Sequence, residues 1–284
     1  MATPTLLHHF SLFKDARDYQ ILCLSLFLVL GVAMRDWSLQ PAIVTTAIVT
    51  TLVSQILLSW LTKANTLGTE PKLSFTHVNW RSPLITALGL SLLLRTDHMT
   101  TMALAAGIAI ASKFCLQVGD KHFFNPANLG IIAVLTLTND AWVSPGQWGD
   151  EIWYGLIFIG AGGMVLKRVG RWDTTGMFLA SYALLEAIRN LYLGWTWDVW
   201  THRMMSGSLL LFALFMVTDP RSIPNARPAR LMWAVAIAAL TFVLRNQFYL
   251  STAIFWALFA LSPLTVVLDR LWESPRFEWK TTSL

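Results

Sequence analysis

The chain has 284 residues, of which 55% are hydrophobic and only 13% charged. Soluble domains carry roughly 25% charged residues, so this composition excludes a soluble globular reading. The formal net charge is +5, but the Lys and Arg residues fall in short connections rather than on one continuous face, which sets nucleic acid aside as a partner.

Residues 1–18 contain His8, His9, Lys14 and Arg17 without an apolar stretch leading to a small-residue cleavage site, so they are read as a cytoplasmic segment before a retained first helix. Apolar runs between caps and breakers then predict helices at 19–34, 41–62, 82–95, 99–116, 126–139, 151–166, 175–193, 204–218, 229–246 and 250–269. The fold class is an all-α integral membrane protein of about ten transmembrane helices. One membrane domain covers 19–269 and a cytoplasmic tail covers 270–284.

With the N-terminus inside, 16 of the 21 Lys and Arg residues lie on the cytoplasmic side. Only Arg35, Arg95, Arg189, Arg203 and Arg245 lie outside. That bias predicts both termini in the cytoplasm of a bacterial inner membrane. All 14 tryptophans except Trp233 and Trp256 fall near predicted helix ends or in loops, as interfacial belt residues do. The cluster Trp195, Trp197, Trp200 also fits a stacking surface for a quinone or flavin. Cys23 and Cys115 lack a C-x-x-C partner and read as buried small hydrophobes.

Two stretches resemble each other. Ser82-Pro-Leu-Ile-Thr-Ala-Leu-Gly-Leu-Ser-Leu-Leu-Leu-Arg runs into Thr96-Asp97, and Ser206-Gly207-Ser-Leu-Leu-Leu-Phe-Ala-Leu-Phe-Met-Val runs into Thr218-Asp219, 122 residues later. As the third helices of two five-helix halves, about 19–139 and 151–269, they predict two inverted repeats, because five is odd. The short helices 82–95, 126–139 and 204–218, opened by Pro or Gly, point to a site near the membrane midplane. The alternative is that they are ordinary helices trimmed at their ends.

Chemistry concentrates in Lys113-Phe-Cys-Leu-Gln-Val-Gly-Asp-Lys121-His122-Phe-Phe-Asn125-Pro126-Ala-Asn128-Leu-Gly130, with its two lysines and a histidine. A proline opening a short helix, two amides and positive charge gather free N–H groups suited to an anion, a phosphate or an electron-rich carbonyl ring. A positively charged turn with Asn125 as N-cap explains the same residues. Thr218-Asp219-Pro220-Arg221 either caps a turn with an Arg partner or presents a carboxylate to a cation. In the third cluster Asp173 reads as an N-cap and Glu186 with Arg189 as an i,i+3 pair. Glu186 also stays a functional candidate as an ionisable group inside a span. No Walker A loop, G-x-G-x-x-G after a strand, H-E-x-x-H or cysteine cluster occurs, so neither a metal site nor a catalytic site complete in this chain is predicted, and the catalytic residues stay unknown.

The motifs Ser82-Pro-Leu-Ile-Thr-Ala-Leu-Gly-Leu, Lys121 to Gly130, and Ser206-Gly207 through Thr218-Asp219-Pro220 resemble those of two membrane subunits, NqrB of the sodium-translocating NADH:quinone oxidoreductase and RnfD of the Rnf electron-transport complex. The resemblance implies a membrane subunit of an Rnf- or Nqr-like system that passes electrons through a bound flavin or quinone between membrane or soluble redox subunits. In the parent complexes this is coupled to sodium or proton movement. It further implies FMN or riboflavin near Lys121, His122, Asn125, Pro126 and Asn128, with Ser206, Gly207, Thr218 and Asp219 on the facing helix. Lys121 would offset negative charge, His122 would relay protons and the asparagines would bond ring carbonyls. The family's flavin-bearing Thr should follow the Asn-Pro-Ala helix, but Asn139-Asp140-Ala-Trp-Val-Ser144-Pro145-Gly146-Gln147-Trp148 has no threonine, so the flavin is expected to be non-covalent. Two competing readings keep only the scaffold: a small-solute or ion transporter, and a non-redox scaffolding subunit.

Overall fold

A computed structural model of the chain describes residues 15–34, 39–67, 79–144 and 152–279. The first half runs α1 (Ala16–Met34), α2 (Pro41–Leu67), α3 (Arg81–Leu93), β1 (Leu94–Thr96), α4 (Met99–Cys115), β2 (Gln117–Val118), β3 (Lys121–His122), α5 (Pro126–Leu137) and β4 (Ala141–Val143). The second runs α6 (Ile152–Val169), α7 (Trp172–Leu193), α8 (Trp197–Met204), α9 (Gly207–Leu211) with a π-helical continuation over Phe212–Met216, α10 (Arg227–Asn246), α11 (Ala253–Leu261) and α12 (Leu264–Leu271). Each of the ten predicted segments contains helix, and α8 is an additional one.

Among the described residues, length and apolarity mark three helices as able to cross a membrane: Ala16–Ala33, Pro41–Lys63 and Arg227–Asn246. The pair α11 and α12, bent by 47°, makes a fourth. That is fewer than the ten crossings expected: several helices are too short, and α7, though 22 residues long, is interrupted by Glu186, Arg189 and Asn190. A helix of 12 residues such as α5 rises only about 18 Å, short of a bilayer core of about 30 Å. The predicted segment 250–269 is broken at Ser262-Pro263, where a proline cannot donate to the helical ladder.

The long helices form the outside. Val29, Val32, Val49, Val53, Leu57 and Leu61 expose apolar surface on α1 and α2, as a lipid-facing wall does. The short helices form the inside: every residue from Leu209 to Val217 is buried. In the first half α1 packs on α3, α2 on α3 and α4, and α4 on α5. In the second, α6 packs on α9, α7 on the π segment and α10, and α10 on α11, while α1 meets α6 and α5 meets α11 between the halves.

Backbone that leaves the helical ladder in an apolar interior must be satisfied within the protein. Where α3 and α5 end, β1 pairs antiparallel with β4 (Leu94 with Val143, Arg95 with Trp142, Thr96 with Ala141), and Ser144 N donates to Leu93 O at 2.8 Å. Arg95 caps the last carbonyls of α3, donating to Ser91 O at 2.7 Å and Leu94 O at 3.0 Å. At the opposite end β2 and β3 form a hairpin whose two-residue turn, Gly119 (φ 54°) and Asp120 (φ 63°), has the positive φ values that a tight turn of this hand needs.

Several local expectations change. Asp173 is not an N-cap; Arg171 occupies that position, and Asp173 pairs with Arg230 (3.1 Å) and Arg227 (3.3 Å). Glu186 takes Arg203 (2.7 Å) and Asn246 (3.0 Å), and Arg189 lies over the Trp195 ring at 4.7 Å. Cys23 is buried as expected, but Cys115, the last residue of α4, is exposed, and both are free thiols.

Candidate functional site

The site starts at the hairpin. Its tight turn sends Lys121 and His122 inward, both nearly buried, and Asn125 then opens α5. The Asn125 Oδ1 accepts from Asn128 N at 3.0 Å, an N-cap contributing about 1 kcal/mol. Its Nδ2 donates to Met216 O at 3.3 Å, tying the start of α5 to the end of the π segment. Pro126 at the first helical position carries no N–H to satisfy.

The π register explains why Met216 and its neighbours can accept from outside. Val217 N reaches back five residues to Phe212 O at 3.0 Å, so carbonyls of this turn are available to other donors. Thr175 Oγ1 donates to Ala213 O at 2.7 Å, and Thr218 Oγ1 to Leu214 O at 2.8 Å.

Asp219 follows immediately. Its carboxylate accepts from Arg221 N at 3.2 Å and from Ser222 Oγ at 3.1 Å, and its Oδ2 stands 3.8 Å from His122 Nε2. Burial pushes its carboxyl pKa up, but the hydrogen bond and charge of His122, with the Arg221 N–H and the Ser222 hydroxyl, more than offset this and hold it below the usual carboxylate range. The predicted pairing with an Arg side chain is thus replaced by a pairing with His122.

His122, Asn125, Pro126, Thr218 and Asp219 line one small cavity of about 100 Å³. Arg17, Thr86 and Trp279, which the sequence did not mark as site residues, also line it, together with Ser82 and Lys113 from the marked motifs. Lys113, the first lysine of the marked segment, sits in the last turn of α4. It donates to Ser82 Oγ at 2.8 Å.

Four predicted members lie elsewhere. Lys121 turns away from the cavity and donates to Asp269 Oδ2 (2.6 Å), Ile223 O (2.6 Å) and Asn225 Oδ1 (3.2 Å), so its charge is already neutralised inside the protein. Burial lowers its ammonium pKa, with Asp269 restoring only part. Ser206 and Gly207 sit at the opposite end of the broken helix, and Ser206 lines a second cavity of about 1270 Å³. Thr201, Arg203, Ser208, Arg245 and the β4 segment with Ser144 border the same space. Asn128 lies between the two, donating to Phe255 O at 3.1 Å, while its Oδ1 is buried without a hydrogen-bond partner.

Size separates the cavities chemically. Sites for organic ligands span roughly 300–1,000 Å³, so a flavin ring does not fit the small cavity where it was expected, whereas the wide one is large enough. The small cavity has room for only a few waters, at about 30 Å³ each, or a desolvated cation. Of the loop in which the family's threonine was sought, residues 145–148 lie outside the described residues.

Gly130 closes the motif for a packing reason. A Cβ there would meet Ala105 O at 2.5 Å and Ala109 Cβ at 3.1 Å, so α5 approaches α4 closely along small residues.

A sequence profile of the NQR2, RnfD, RnfE family matches residues 137–278, half of the chain. The match includes Ser206, Gly207, Thr218 and Asp219 and begins after the Lys121–Gly130 motif. The chain is similar to the RnfD subunit of the ion-translocating oxidoreductase complex of Stutzerimonas stutzeri, 30% identical over 156 residues covering 55% of this chain and 40% of the relative. It is also similar to the protein of that name from Halorhodospira halophila (strain DSM 244 / SL1), 27% identical over 127 residues covering 44% of this chain and 35% of the relative. The matched part is thus less than half the length of either.

Proposed function

The chain belongs to the NQR2, RnfD, RnfE family, and from that premise we propose that it is a multi-pass subunit of an ion-translocating oxidoreductase complex in a bacterial inner membrane. Both termini face the cytoplasm, and other membrane or soluble redox subunits are its partners. The observation that carries this reading is the His122–Asp219 pair across a cavity of about 100 Å³, where the broken helix α9 with its π segment meets the start of α5.

In this reading the two halves are inverted repeats. The matching order of neighbours supports it: α1–α3, α2–α4 and α4–α5 correspond to α6–α9, α7–α10 and α10–α11. The small cavity is the ion or proton station. Asp219 stays ionised and attracts a cation, His122 exchanges a proton with cavity water beside it, and the Thr218 hydroxyl lies next in sequence.

A non-covalent FMN or riboflavin, or a quinone, belongs by volume in the wide cavity. There Thr201, Ser206 and Ser208 would offer hydroxyls, and Arg245 positive charge. Bound there, such a group would supply electron transfer to neighbouring subunits. The absorbance spectrum of the detergent-purified protein before and after acid precipitation tests this. Flavin bands that move into the acid supernatant support the reading; no flavin absorbance and no quinone-linked reduction sink it.

A second reading, a small-cation transporter on the same scaffold, is favoured by the two cavities lying at opposite ends of one short helix. Cation flux in liposomes containing this chain alone, lost on Asp219→Asn, would select it.

A further inference from the structure

After α12 the chain runs on through Trp272–Trp279 without helix or strand and brings Trp279 to the wall of the small cavity. Its side chains hold it there. Arg276 donates to Gly119 O in the hairpin turn before Lys121. The Arg171 guanidinium, between α6 and α7, lies 5.3 Å from the Phe277 ring centre, and its buried Nε has no hydrogen-bond partner. Arg17, in the first turn of α1, lies 5.0 Å from the Trp279 ring centre. Phe277 and Trp279 meet edge to face at 4.9 Å, and Trp279 is itself part of the cavity wall.

We propose that Trp272–Trp279 is a strap that closes the mouth of the His122–Asp219 cavity by clamping its two rings onto one arginine from each half of the fold. The clamp is prepared on the protein side. Arg17 is fixed by Asp15 (2.9 and 2.5 Å) and Asn79 (3.2 Å), so its guanidinium face stays presented whether or not Trp279 is on it. The strap side is held by two cation–π contacts, one hydrogen bond and the packing of the half-buried Phe277 and Trp279 rings on the margin of the core, each weak alone. Its release therefore needs no rearrangement of the helices. When it lifts, one wall of the cavity leaves with Trp279, and water and small ions reach His122 and Asp219.

The strap is tested by access, independently of any flux or cofactor. In the full chain carrying Cys23→Ala and Cys115→Ser, a reporter Thr86→Cys in the cavity wall is labelled in detergent with a small charged methanethiosulfonate. Phe277→Ala with Trp279→Ala should speed labelling about tenfold, as expected for losing two such ring contacts, while Trp279→Phe, which keeps a ring, should stay within about twofold of the parent. A control Thr51→Cys, buried on α2, should not change. If the Thr86 reporter fails to fold, Ser82→Cys replaces it. An unchanged reporter rate in the double variant overturns the proposal, and so does equal acceleration at Thr51→Cys, which would mean general loosening.

Discussion

At its Ser206 end the broken helix borders a space of about 1270 Å³ lined with hydroxyls and arginines; at its Thr218 end it borders one of about 100 Å³ holding a His–Asp pair. One stretch of ten residues therefore borders two cavities of different size, and the buried Asn128 amide bonds a residue lining the wide one. A ring system and a small ion need not share one place. The motif expected to hold the ring lines a cavity of only about 100 Å³, and its Lys121 is spent on Asp269.

That last point gives the largest expected effect. Lys121→Met leaves the Asp269 carboxylate without its ammonium, and breaking such a pair costs about 3–5 kcal/mol, toward the lower end because Asp269 is 19% exposed. Thermal unfolding in detergent should show this loss, and Lys121→Met with Asp269→Leu should recover most of it. Were Lys121 instead a ligand-facing group, the single change would barely move the midpoint.

Gly130→Ala comes next. Its new Cβ meets a backbone oxygen of α4 that cannot swing aside, so overpacking of about 1–3 kcal/mol is expected in the same unfolding experiment. A near-neutral result would separate the motif's glycine from helix packing.

The smallest effect is in pH. Because the folded-state pKa of Asp219 is depressed, its stabilising contribution is present above the unfolded value and lost only as pH falls through the folded value, below the ordinary carboxylate range. Asp219→Asn should remove that segment of the acid dependence. Identical acid profiles for both proteins would place the His122–Asp219 contact outside the stability of the fold.

The sequence makes the helical segments legible because apolar runs, prolines and polar starts mark them directly. It also marks His122, Asn125 and Asp219, which the fold brings to the wall of one cavity. It hides whatever depends on distant chain. The π register over Phe212–Met216 carries no residue signature, the β1–β4 pairing joins segments far apart in the chain, and the neutralisation of Lys121 comes from Asp269 near the far end. Glu186 illustrates the same limit, since its spacing offers Arg189 while the fold supplies Arg203 from a helix that the hydropathy pattern did not reveal.

The division of labour between the two cavities is tested most directly by flavin content in the purified full chain. Flavin absorbance should be retained in Asp219→Asn and strongly reduced in Arg245→Gln, with Arg245 on the wall of the wide cavity. Flavin lost in Asp219→Asn and retained in Arg245→Gln would contradict that division.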